Sequence, residues 1–420
     1  MKQFTDIPNL RHLRMVQMIG RLGGVSSASR ELSTSQPAVT QAVANIEADI
    51  GVPIFERCAT GTYPTPVGRQ YLRRIDRFFD ILDRAIAQVL DSSESGRERQ
   101  IQRVDRLVTG TQLRALIVTS DQGHVTEIAH EMGMSPASLF RSARTLERVL
   151  DKSLFDRTAQ GLIPNRTGNF LAREFRRAAR EHELARGEVL LASGEESLEI
   201  AVGAMPMAGS HELARATRAF MTAYPRVKVR LASEVYNKLL ADLENSRIDM
   251  IFGTMRKPAW AEDLIEEPLY LDSYCLVARP EHPLTQLDVV TPADVAQYEW
   301  VVPQINTPRR NRIEAIFAGA TMQPRFMVET AALTTSRAFL LCSDMLTLMT
   351  RSEIKSDLDL GILVSLPCPF VTHVLRKGIT TRSDWLPTAP HAAFIECLRA
   401  VTSEMQSGQA GADTRFSLAS

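Results

Sequence analysis

The sequence has no long run of apolar residues. No stretch approaches the roughly 18 apolar residues that a membrane-spanning helix needs, and the opening MKQFTDIPNLRHLRMV lacks the apolar segment of a signal peptide. Cysteines are few and show no paired spacing: Cys58, Cys275, Cys342, Cys368 and Cys397. Scattered thiols are typical of a reducing compartment. We therefore expect a cytoplasmic protein with reduced thiols and no membrane partner.

The usual signatures of catalytic and metal sites are also missing. The eight histidines form no HExxH pair, the cysteines lack metal-ligand spacing, and neither GxSxG nor a P-loop occurs. The glycine-rich stretch at 20–24 follows a helical pattern and lacks the lysine of a phosphate-binding loop. We therefore expect no enzyme, no catalytic residues, no metal and no cofactor.

Charge is balanced overall but unevenly distributed. Residues 1–192 hold 27 Lys+Arg against 22 Asp+Glu, and the remaining residues hold 22 against 27. A basic first half indicates nucleic acid as a partner, although the excess is small. With 420 residues, the chain is too long for one ordinary core, which predicts two or three domains.

The basic half contains an internal repeat. Residues 13–68 align without gaps to residues 113–168, and thirteen positions are identical, among them Ser35, Glu47 and Gly68 with their counterparts. That is several times the number expected by chance. An ungapped match of this length predicts a duplicated domain.

Each copy has the pattern of a winged helix-turn-helix. An amphipathic helix leads through a glycine-containing turn to a short helix, for which Ser26 and Thr126 are the predicted N-caps. Ser35 and Ser135 are the predicted N-caps of a third helix, and a short hairpin follows. Two short helices around a tight turn, followed by a hairpin, are typical of DNA-binding domains.

The third helix of the first copy has a polar outer face. Its apolar positions Val39, Val43, Ile46 and Ile50 fall on the opposite face, which must pack inward. Gln and Asn side chains can pair with adenine in the major groove. We expect contacts to DNA from this helix and its cap, and from an arginine near the wing: Ser35, Gln36, Pro37, Thr40, Gln41, Asn45 and Arg57.

The third helix of the second copy keeps the same frame but carries Arg141, Arg144 and Arg148 outward. Arginine pairs with guanine in the major groove, so these residues and Ser135 are candidate DNA contacts. The alternative is a solvated face that Glu147 and Asp151 neutralise at helical spacing. A related alternative makes the second copy a dimerisation or protein-contact element.

A long helical pattern follows each copy. In the first, a wide apolar stripe from Tyr71 to Val89 predicts pairing with another helix, either in a dimer or within the chain. From residue 197 the pattern changes to alternating strands and helices, which predicts an α/β domain of two lobes that enclose a ligand cleft.

The ordered combination of SQPA, IE, GVPIFER and a final Thr65 to Gly68 resembles the DNA-binding domain of LysR-type transcriptional regulators. Residues 197–403 are similar to that family's effector domain, on the stretches LENSRIDMIFG, VARPEHPL and GITTRSD. The last of these is most similar to the galactose-binding-protein regulator and protocatechuate regulator subgroup. The usual family member has one DNA-binding domain, whereas this chain has the pattern of two.

The resemblance implies a two-lobed, periplasmic-binding-protein-like effector domain with a site between its lobes. Matched residue by residue, the family's effector site implies Met205, Pro206, Ser210, Tyr236, Asn237, Thr307, Arg309 and Thr330. An anionic or sugar-like metabolite is the expected effector, because Ser210 and Arg309 lie near predicted helix N-termini.

We thus expect a multi-domain chain with tandem, mainly α-helical DNA-binding domains and one α/β domain. The predicted segments are a first winged helix-turn-helix (5–66), a linker or dimerisation helix (67–98), a second winged helix-turn-helix (108–166), a second linker helix (167–196), an effector domain (197–404) and a disordered tail (405–420). The predicted function is transcription regulation on double-stranded DNA by a homodimer or homotetramer, with RNA polymerase as a further candidate partner. A ligand-binding protein without DNA contact is the remaining alternative.

Overall fold

The computed structural model describes residues 7–58, 61–90, 107–121, 125–131, 133–158, 161–195, 198–205, 210–258, 261–320 and 322–416, the last twelve of these by backbone only. The chain divides near Glu199 into two compact units. No helix of the described residues is long and apolar enough to span a bilayer.

The N-terminal unit contains the same arrangement of elements twice. In the first copy, three helices precede a two-stranded hairpin and a long helix: α1 (Leu10–Leu22), α2 (Val25–Glu31), α3 (Gln36–Ile50), β1 (Phe55–Cys58), β2 (Gly61–Pro64) and α4 (Pro66–Val89). The second copy repeats this order: α5 (Gly110–Thr119), α6 (Val125–Glu131), α7 (Pro136–Leu150), β3 (Phe155–Thr158), β4 (Gly161–Pro164) and α8 (Arg166–Ala192).

Helices α3 and α7 begin and end in the same way. The Ser35 hydroxyl accepts from the Ala38 amide and the Ser135 hydroxyl from the Ser138 amide, which confirms both as N-caps. Gly51 ends α3 and Asp151 ends α7, each in the left-handed conformation that glycine and, less readily, aspartate adopt.

The inward faces of α3 and α7 are buried as the sequence predicts, with Val43 only partly so. The predicted caps of α2 and α6 are wrong. Helix α2 begins at Val25 after an extended Gly24 with no side-chain cap, so Ser26 lies in its first turn. Thr126 likewise lies inside α6. A glycine can occupy an N-cap without a side-chain acceptor, which the sequence pattern does not reveal.

One glutamate in each copy ties the third helix to the hairpin. The Glu47 carboxylate accepts from the backbone amides of Ile54 and Phe55 at 2.7 and 3.1 Å. Glu147 does the same for Leu154 and Phe155 at 2.8 and 3.2 Å. This identity at the repeated position is therefore structural, because both amides would otherwise be buried without an acceptor.

The start of each long helix packs against the loop that precedes the hairpin of its own copy. Thr65 caps α4 through the Gly68 amide, and Asn165 caps α8 through the Gly168 amide, each at 2.9 Å. A Cβ atom on Gly68 would lie 2.0 Å from the Ile54 carbonyl oxygen, and one on Gly168 would lie 2.2 Å from that of Leu154. Only glycine permits this approach, so the hairpin sets the direction of each long helix.

The long helices α4 and α8 pack along each other within the chain. Of the two alternatives that the apolar stripe leaves open, the structure therefore shows the intrachain one. The two copies share one hydrophobic core, to which α4 contributes Phe78, Phe79 and Leu82 and α8 contributes Phe175 and Ala179. The N-terminal unit is thus built around this helix pair.

The C-terminal unit is an α/β domain. Its strands are β5 (Leu198–Ala204), β6 (Val227–Ser233), β7 (Met250–Thr254), β8 (Leu264–Ala278), β9 (Glu299–Val302), β10 (Arg325–Glu329), β11 (Thr347–Thr350), β12 (Val364–Ser365) and β13 (Val374–Arg382). Its helices are α9 (Ser210–Ala223), α10 (Tyr236–Glu244), α11 (Pro292–Val295), α12 (Pro308–Ile316), α13 (Leu333–Cys342), α14 (Lys355–Asp359) and α15 (Ala389–Phe416), with a 3₁₀ turn at Pro283–Gln286.

Two long antiparallel strands, β8 and β13, organise this domain. The larger sheet has the order β11-β8-β13-β7-β5-β6, with β12 also paired to β8, and β9 pairs with β10 in a separate parallel sheet. Separate hydrophobic clusters form around Trp300 and around Leu239. The first half of β8 is mostly exposed or partly exposed, whereas its last five residues, YCLVA, are all buried.

The predicted disordered tail is partly wrong. Helix α15 continues through Phe416, past the predicted end of the domain at 404. Its last turns contain no proline and include alanine and glutamine, which favour helix continuation despite two glycines. Residues 417–420 lie outside the described residues.

Replacing Gly68 with alanine should destabilise the N-terminal unit by about 1–3 kcal/mol, because the new Cβ forces the Ile54 carbonyl away from α4. The gain in helix propensity, about 1 kcal/mol, offsets this only in part. Ser26→Ala, at an exposed position in the first turn of α2, is the control, since it places alanine in a helix without adding atoms. Equal midpoints for both variants in urea unfolding would contradict the close approach.

Candidate nucleic-acid interface and ligand site

The outward face of α3 is polar and accessible. Gln36, Pro37, Gln41 and Asn45 are exposed and Thr40 is half-buried. The Gln41 amide donates to the Asn45 side-chain oxygen at 2.9 Å, so the two amide groups are held side by side on this face. The Ser35 hydroxyl is used as the helix cap. This arrangement offers amide donors and acceptors to base edges.

The outward face of α7 is cationic. Arg141, Arg144 and Arg148 are all exposed. Arg148 donates to the Thr145 hydroxyl at 3.0 Å, and among the described residues Arg141 has no ion-pair partner. Together the three arginines form a stripe along the helix that suits guanine edges or phosphates.

The predicted neutralisation of this stripe occurs in part, at Arg144. One carboxylate oxygen of Glu147 accepts from the backbone of β3, and the other approaches only Arg144, at 3.7 Å. Asp151 lies past the helix end in the left-handed conformation. Glu147 therefore serves the fold of the second copy and also pairs with Arg144, while among the described residues Arg141 has no such partner. The charge-balanced helix face stays an alternative to DNA contact.

The hairpins carry one equivalent arginine each. Arg57 lies exposed on β1, opposite Thr62, and Arg157 lies exposed on β3, opposite Leu162. Arg157 is the equivalent of Arg57 by the repeat, a candidate phosphate contact that the identity of the two positions could have identified.

In the C-terminal unit, the candidate effector residues of the first strands differ in accessibility. Met205 follows β5 and packs against the hydrophobic cluster around Leu239, whereas Ser210 is exposed at the first residue of α9. Pro206 lies outside the described residues. Tyr236 is buried at the start of α10, and its neighbour Asn237 is exposed.

Tyr236 contacts an arginine through both its ring and its hydroxyl group. The guanidinium carbon of Arg256 lies 4.2 Å from the ring centroid, and the Tyr236 hydroxyl donates to the Arg256 carbonyl oxygen at 3.0 Å. Burial lowers the pKa of Arg256, with the nearby tyrosines opposing. No motif or spacing in the sequence indicates this partner for Tyr236.

The remaining candidates have partners close by. Thr307 caps α12 through the Arg310 amide, and the Thr330 hydroxyl accepts from the Ala332 amide. Arg309 forms an ion pair with the buried carboxylate of Glu353. A ligand carboxylate at Arg309 must therefore compete with an internal one.

A buried polar cluster, unsuspected from the sequence, lies on the three adjacent strands β11, β8 and β13 and just after β11. The Lys377 ammonium lies 2.7 Å from the Asp272 carboxylate and donates to Thr350 and Ser352 at 3.1 and 3.0 Å. The Ser352 hydroxyl donates to Asp272 at 2.6 Å. Burial alone would raise the pKa of Asp272, but Lys377 and the two hydroxyls lower it.

Glu212, on α9, adds a buried carboxyl group to this region. Both of its carboxylate oxygens are buried without a hydrogen-bond partner among the described residues. Burial raises the pKa of Glu212, and Lys377 only partly opposes the effect. A glutamate two residues into a predicted helix looks like a helix-start residue, so the sequence offers no signal of its burial. No metal-holding group of His, Cys, Asp and Glu occurs within the described ranges.

Family models match both units of the chain. The model described as "Bacterial regulatory helix-turn-helix protein, lysR family" matches residues 10–69 and again 111–169. The model described as "LysR substrate binding domain" matches residues 193–403. The three matched ranges contain α1 to β2, α5 to β4 and the α/β domain.

Two characterised relatives differ in how much of the chain they cover. The HTH-type transcriptional regulator GalR of Pseudomonas putida is 29% identical, over 95% of this chain and 99% of its own length. PcaQ of Agrobacterium fabrum is 22% identical over 99% of its own length but only 73% of this chain. The quarter of the chain left uncovered is about the length of one copy with its long helix.

Among solved structures, a full-length single-residue variant of OxyR from Pseudomonas aeruginosa has a similar fold. The superposition has a TM-score of 0.52 at 18% identity and covers 70% of this chain and 93% of that protein. At this identity the likeness concerns the fold alone.

Replacing Glu212 with glutamine should stabilise the protein at neutral pH. Because its pKa is raised in the folded state, the parent loses stability as pH rises above the ordinary glutamate value of 4.5, by about 1.4 kcal/mol for each tenfold increase in proton affinity. The variant should melt higher at pH 7 and match the parent near pH 4. Glu234→Gln, at an exposed position, is the control. A constant difference across this pH range would contradict the assignment.

Proposed function

Since the chain belongs to the LysR family of DNA-binding, effector-responsive transcriptional regulators, we propose that both of its winged helix-turn-helix copies read DNA. The family consists of regulators and not of enzymes. The proposal adds a role for the second copy, whose base or phosphate contacts would be Arg141, Arg144 and Arg148. In the first copy the contacts would be Gln36, Thr40, Gln41 and Asn45.

The observation that supports the proposal is the exposure of both outward faces. Helices α3 and α7 bury their apolar positions in the same unit, yet leave Gln41 and Arg141 accessible at equivalent places. The caps, the Glu47 and Glu147 ties and the glycine contacts are the same in both copies. The second copy therefore presents the outer face of α7 on the same frame as the first copy presents that of α3.

The rival role of the second copy is that of a protein-contact element. Among the described residues, its closest packing against the first copy runs through α8 and the shared core. An outer face with three arginines suits the phosphates and guanines of duplex DNA better than a second protein surface of unspecified charge. Duplex DNA is therefore the partner that the second copy fits best.

For the α/β domain we propose an anionic or sugar-like effector that binds near Ser210 and Asn237. Both residues are exposed, at the starts of α9 and α10, which follow each other along the chain. Unpaired backbone amides at the start of a helix favour oxygen-rich, negatively charged ligands. Tyr236, Thr307, Arg309 and Thr330 belong to the same proposed site, together with Met205. The proposal also places the protein in the cytoplasm, as a homo-oligomer, and the free cysteines support that compartment.

Alanine substitution of Gln41 or of Arg141 should each weaken specific DNA binding by roughly 1–3 kcal/mol, because each removes a base contact. Footprinting on a fragment recovered by genome-wide mapping of bound DNA should show each variant losing protection over a different part of the site. Binding by the parent should fall steeply with salt.

Arg218→Ala, at an exposed position of α9, removes the same charge outside the N-terminal unit and should leave both footprints intact. If Arg141→Ala leaves affinity and protection unchanged, the second copy is not a reader. If no genomic fragment is shifted by the parent, the regulator function itself fails.

The effector proposal is tested by a thermal-shift panel of carboxylates, sugar phosphates and neutral sugars. A compound that binds only the folded chain raises its melting temperature. Ser210→Ala and Asn237→Ala should each reduce that rise, whereas Ser343→Ala, on the loop after α13, should not. An unchanged rise in both site variants would place the ligand elsewhere.

A further inference from the structure

The α4–α8 pair is held by oppositely charged residues. Arg74 of α4 contacts Glu181 and Glu188 of α8 at 2.8 and 2.6 Å, and Arg77 contacts Glu181 at 3.1 Å. The side chains of Arg74 and Glu181 are only 3% and 8% exposed. A guanidinium buried this deeply requires its carboxylates, since an unpaired buried charge is strongly unfavourable.

The repeat shows what would happen if α4 paired with a second α4 instead. The α4 positions equivalent to Glu181 and Glu188 are Ile81 and Gln88. In an α4–α4 pair of the same geometry, Arg74 would face these two residues and be buried without a carboxylate. The charges therefore disfavour self-pairing of α4.

Self-pairing of α8 is disfavoured for the opposite reason. The position in α8 equivalent to Arg74 is Glu174. In an α8–α8 pair, Glu174 of one helix would face Glu181 and Glu188 of the other. Three acidic side chains would meet there with only Arg177, the equivalent of Arg77, in place of two arginines and two acids. Like charges at short distance destabilise a helix pair.

The volumes of the residues at the middle of the pair also favour α4 pairing with α8. Phe78 and Phe79 of α4 are fully buried, and the equivalent residues of α8 are Ala178 and Ala179. An α4–α4 pair would bring four phenylalanines to the centre, and an α8–α8 pair four alanines. Since cores tolerate neither overpacking nor cavities, the mixed pair has the complementary volume.

The two copies are related by an approximate two-fold axis. The ion pairs join the first half of α4 to the last half of α8, and Arg186 in that half also contacts Asp49 at the end of α3, 3.2 Å away. The pair is thus antiparallel. A Cβ on Gly110 would lie 2.7 Å from the Pro8 carbonyl oxygen, so the equivalent starts of α1 and α5 also meet.

We propose that one chain is a complete inverted pair of DNA readers whose operator joins two dissimilar half-sites. Two-fold symmetry in a protein is matched by inverted half-sites in DNA. Here the two readers differ, with amides on α3 and arginines on α7, so one half-site offers adenine and the other guanine to them. The operator part of this inference rests on the proposed function, whereas the intrachain pair stands without it.

The pairing is tested by zero-length cross-linking of the full chain. Arg77→Lys places an amine beside Glu181, and a carbodiimide then joins the two. On a denaturing gel the product should run at the mass of one chain and yield a peptide that links positions 77 and 181. Arg73→Lys, next to it but exposed, should not link to position 181.

A 77–181 link found only in bands of twice the mass would mean that α4 pairs with α8 of another chain, and the intrachain pair would be wrong. Absence of the link from every band would also overturn the pairing, because Arg77 and Glu181 would then not be neighbours. Neither outcome depends on DNA.

The operator is tested by selection of random duplexes with the full-length protein. Inverted, dissimilar halves are expected, with at least a tenfold loss of preference in one half for Gln41→Ala and in the other for Arg141→Ala. Identical halves that both depend on Gln41 would overturn the proposal. If Arg141→Ala changes the preference in neither half while the 77–181 link forms within one chain, α7 does not read DNA. The intrachain pairing of α4 with α8 is then still supported.

Discussion

A buried arginine between two carboxylates is the interaction on which the N-terminal unit depends. Arg74 lies almost completely out of solvent, and Glu181 and Glu188 together supply the charge and the acceptors that make its burial tolerable. Since these carboxylates come from the second copy, the first copy cannot bury its long helix correctly alone. Folding of the two copies is therefore coupled through one ion-pair network and one shared core.

The position of each DNA-facing helix follows from that pair by a short chain of contacts. Gly68 and Gly168 fix the start of each long helix against the loop before its hairpin. Glu47 and Glu147 fix that same loop against α3 and α7. Because every link is short and is made to backbone atoms, substitutions on the outer faces of α3 and α7 leave the frame unchanged. The outer faces of α3 and α7 can thus differ in chemistry while the geometry of the two copies stays the same.

The sequence predicted this frame well because its signals are local or periodic. The caps Ser35 and Ser135, the buried stripes of α3 and α7 and the strands β5 and β6 follow from patterns of neighbouring residues. The helix that partners α4 could not be predicted, since an apolar stripe fits a partner in the same chain and in another equally well. Long-range pairing of charges, as at Arg74, leaves no signal at fixed spacing.

In the C-terminal unit, even more of the structure depends on residues far apart in sequence, which local patterns do not predict. Lys377, Asp272 and Glu212 lie far apart in sequence, and each resembles an ordinary surface residue, yet all three are buried in the folded domain. Candidate residues taken from the family resemblance differ in outcome: Ser210 and Asn237 are exposed, while Arg309 is already paired with Glu353. A resemblance transfers positions, but the partners of a side chain depend on residues that the motif does not include.

Placing both copies in one chain also changes how the pairing of their long helices depends on concentration. Two separate chains must meet before their long helices can pair, whereas residues 90–109 tether α4 to the second copy, so that pairing becomes an intramolecular step. The effective concentration of one helix near the other is then set by the tether and not by the amount of protein. The unlike charges and volumes of α4 and α8 direct this tethered encounter to the correct partner. A chain at low abundance would therefore still present both outward faces to DNA together.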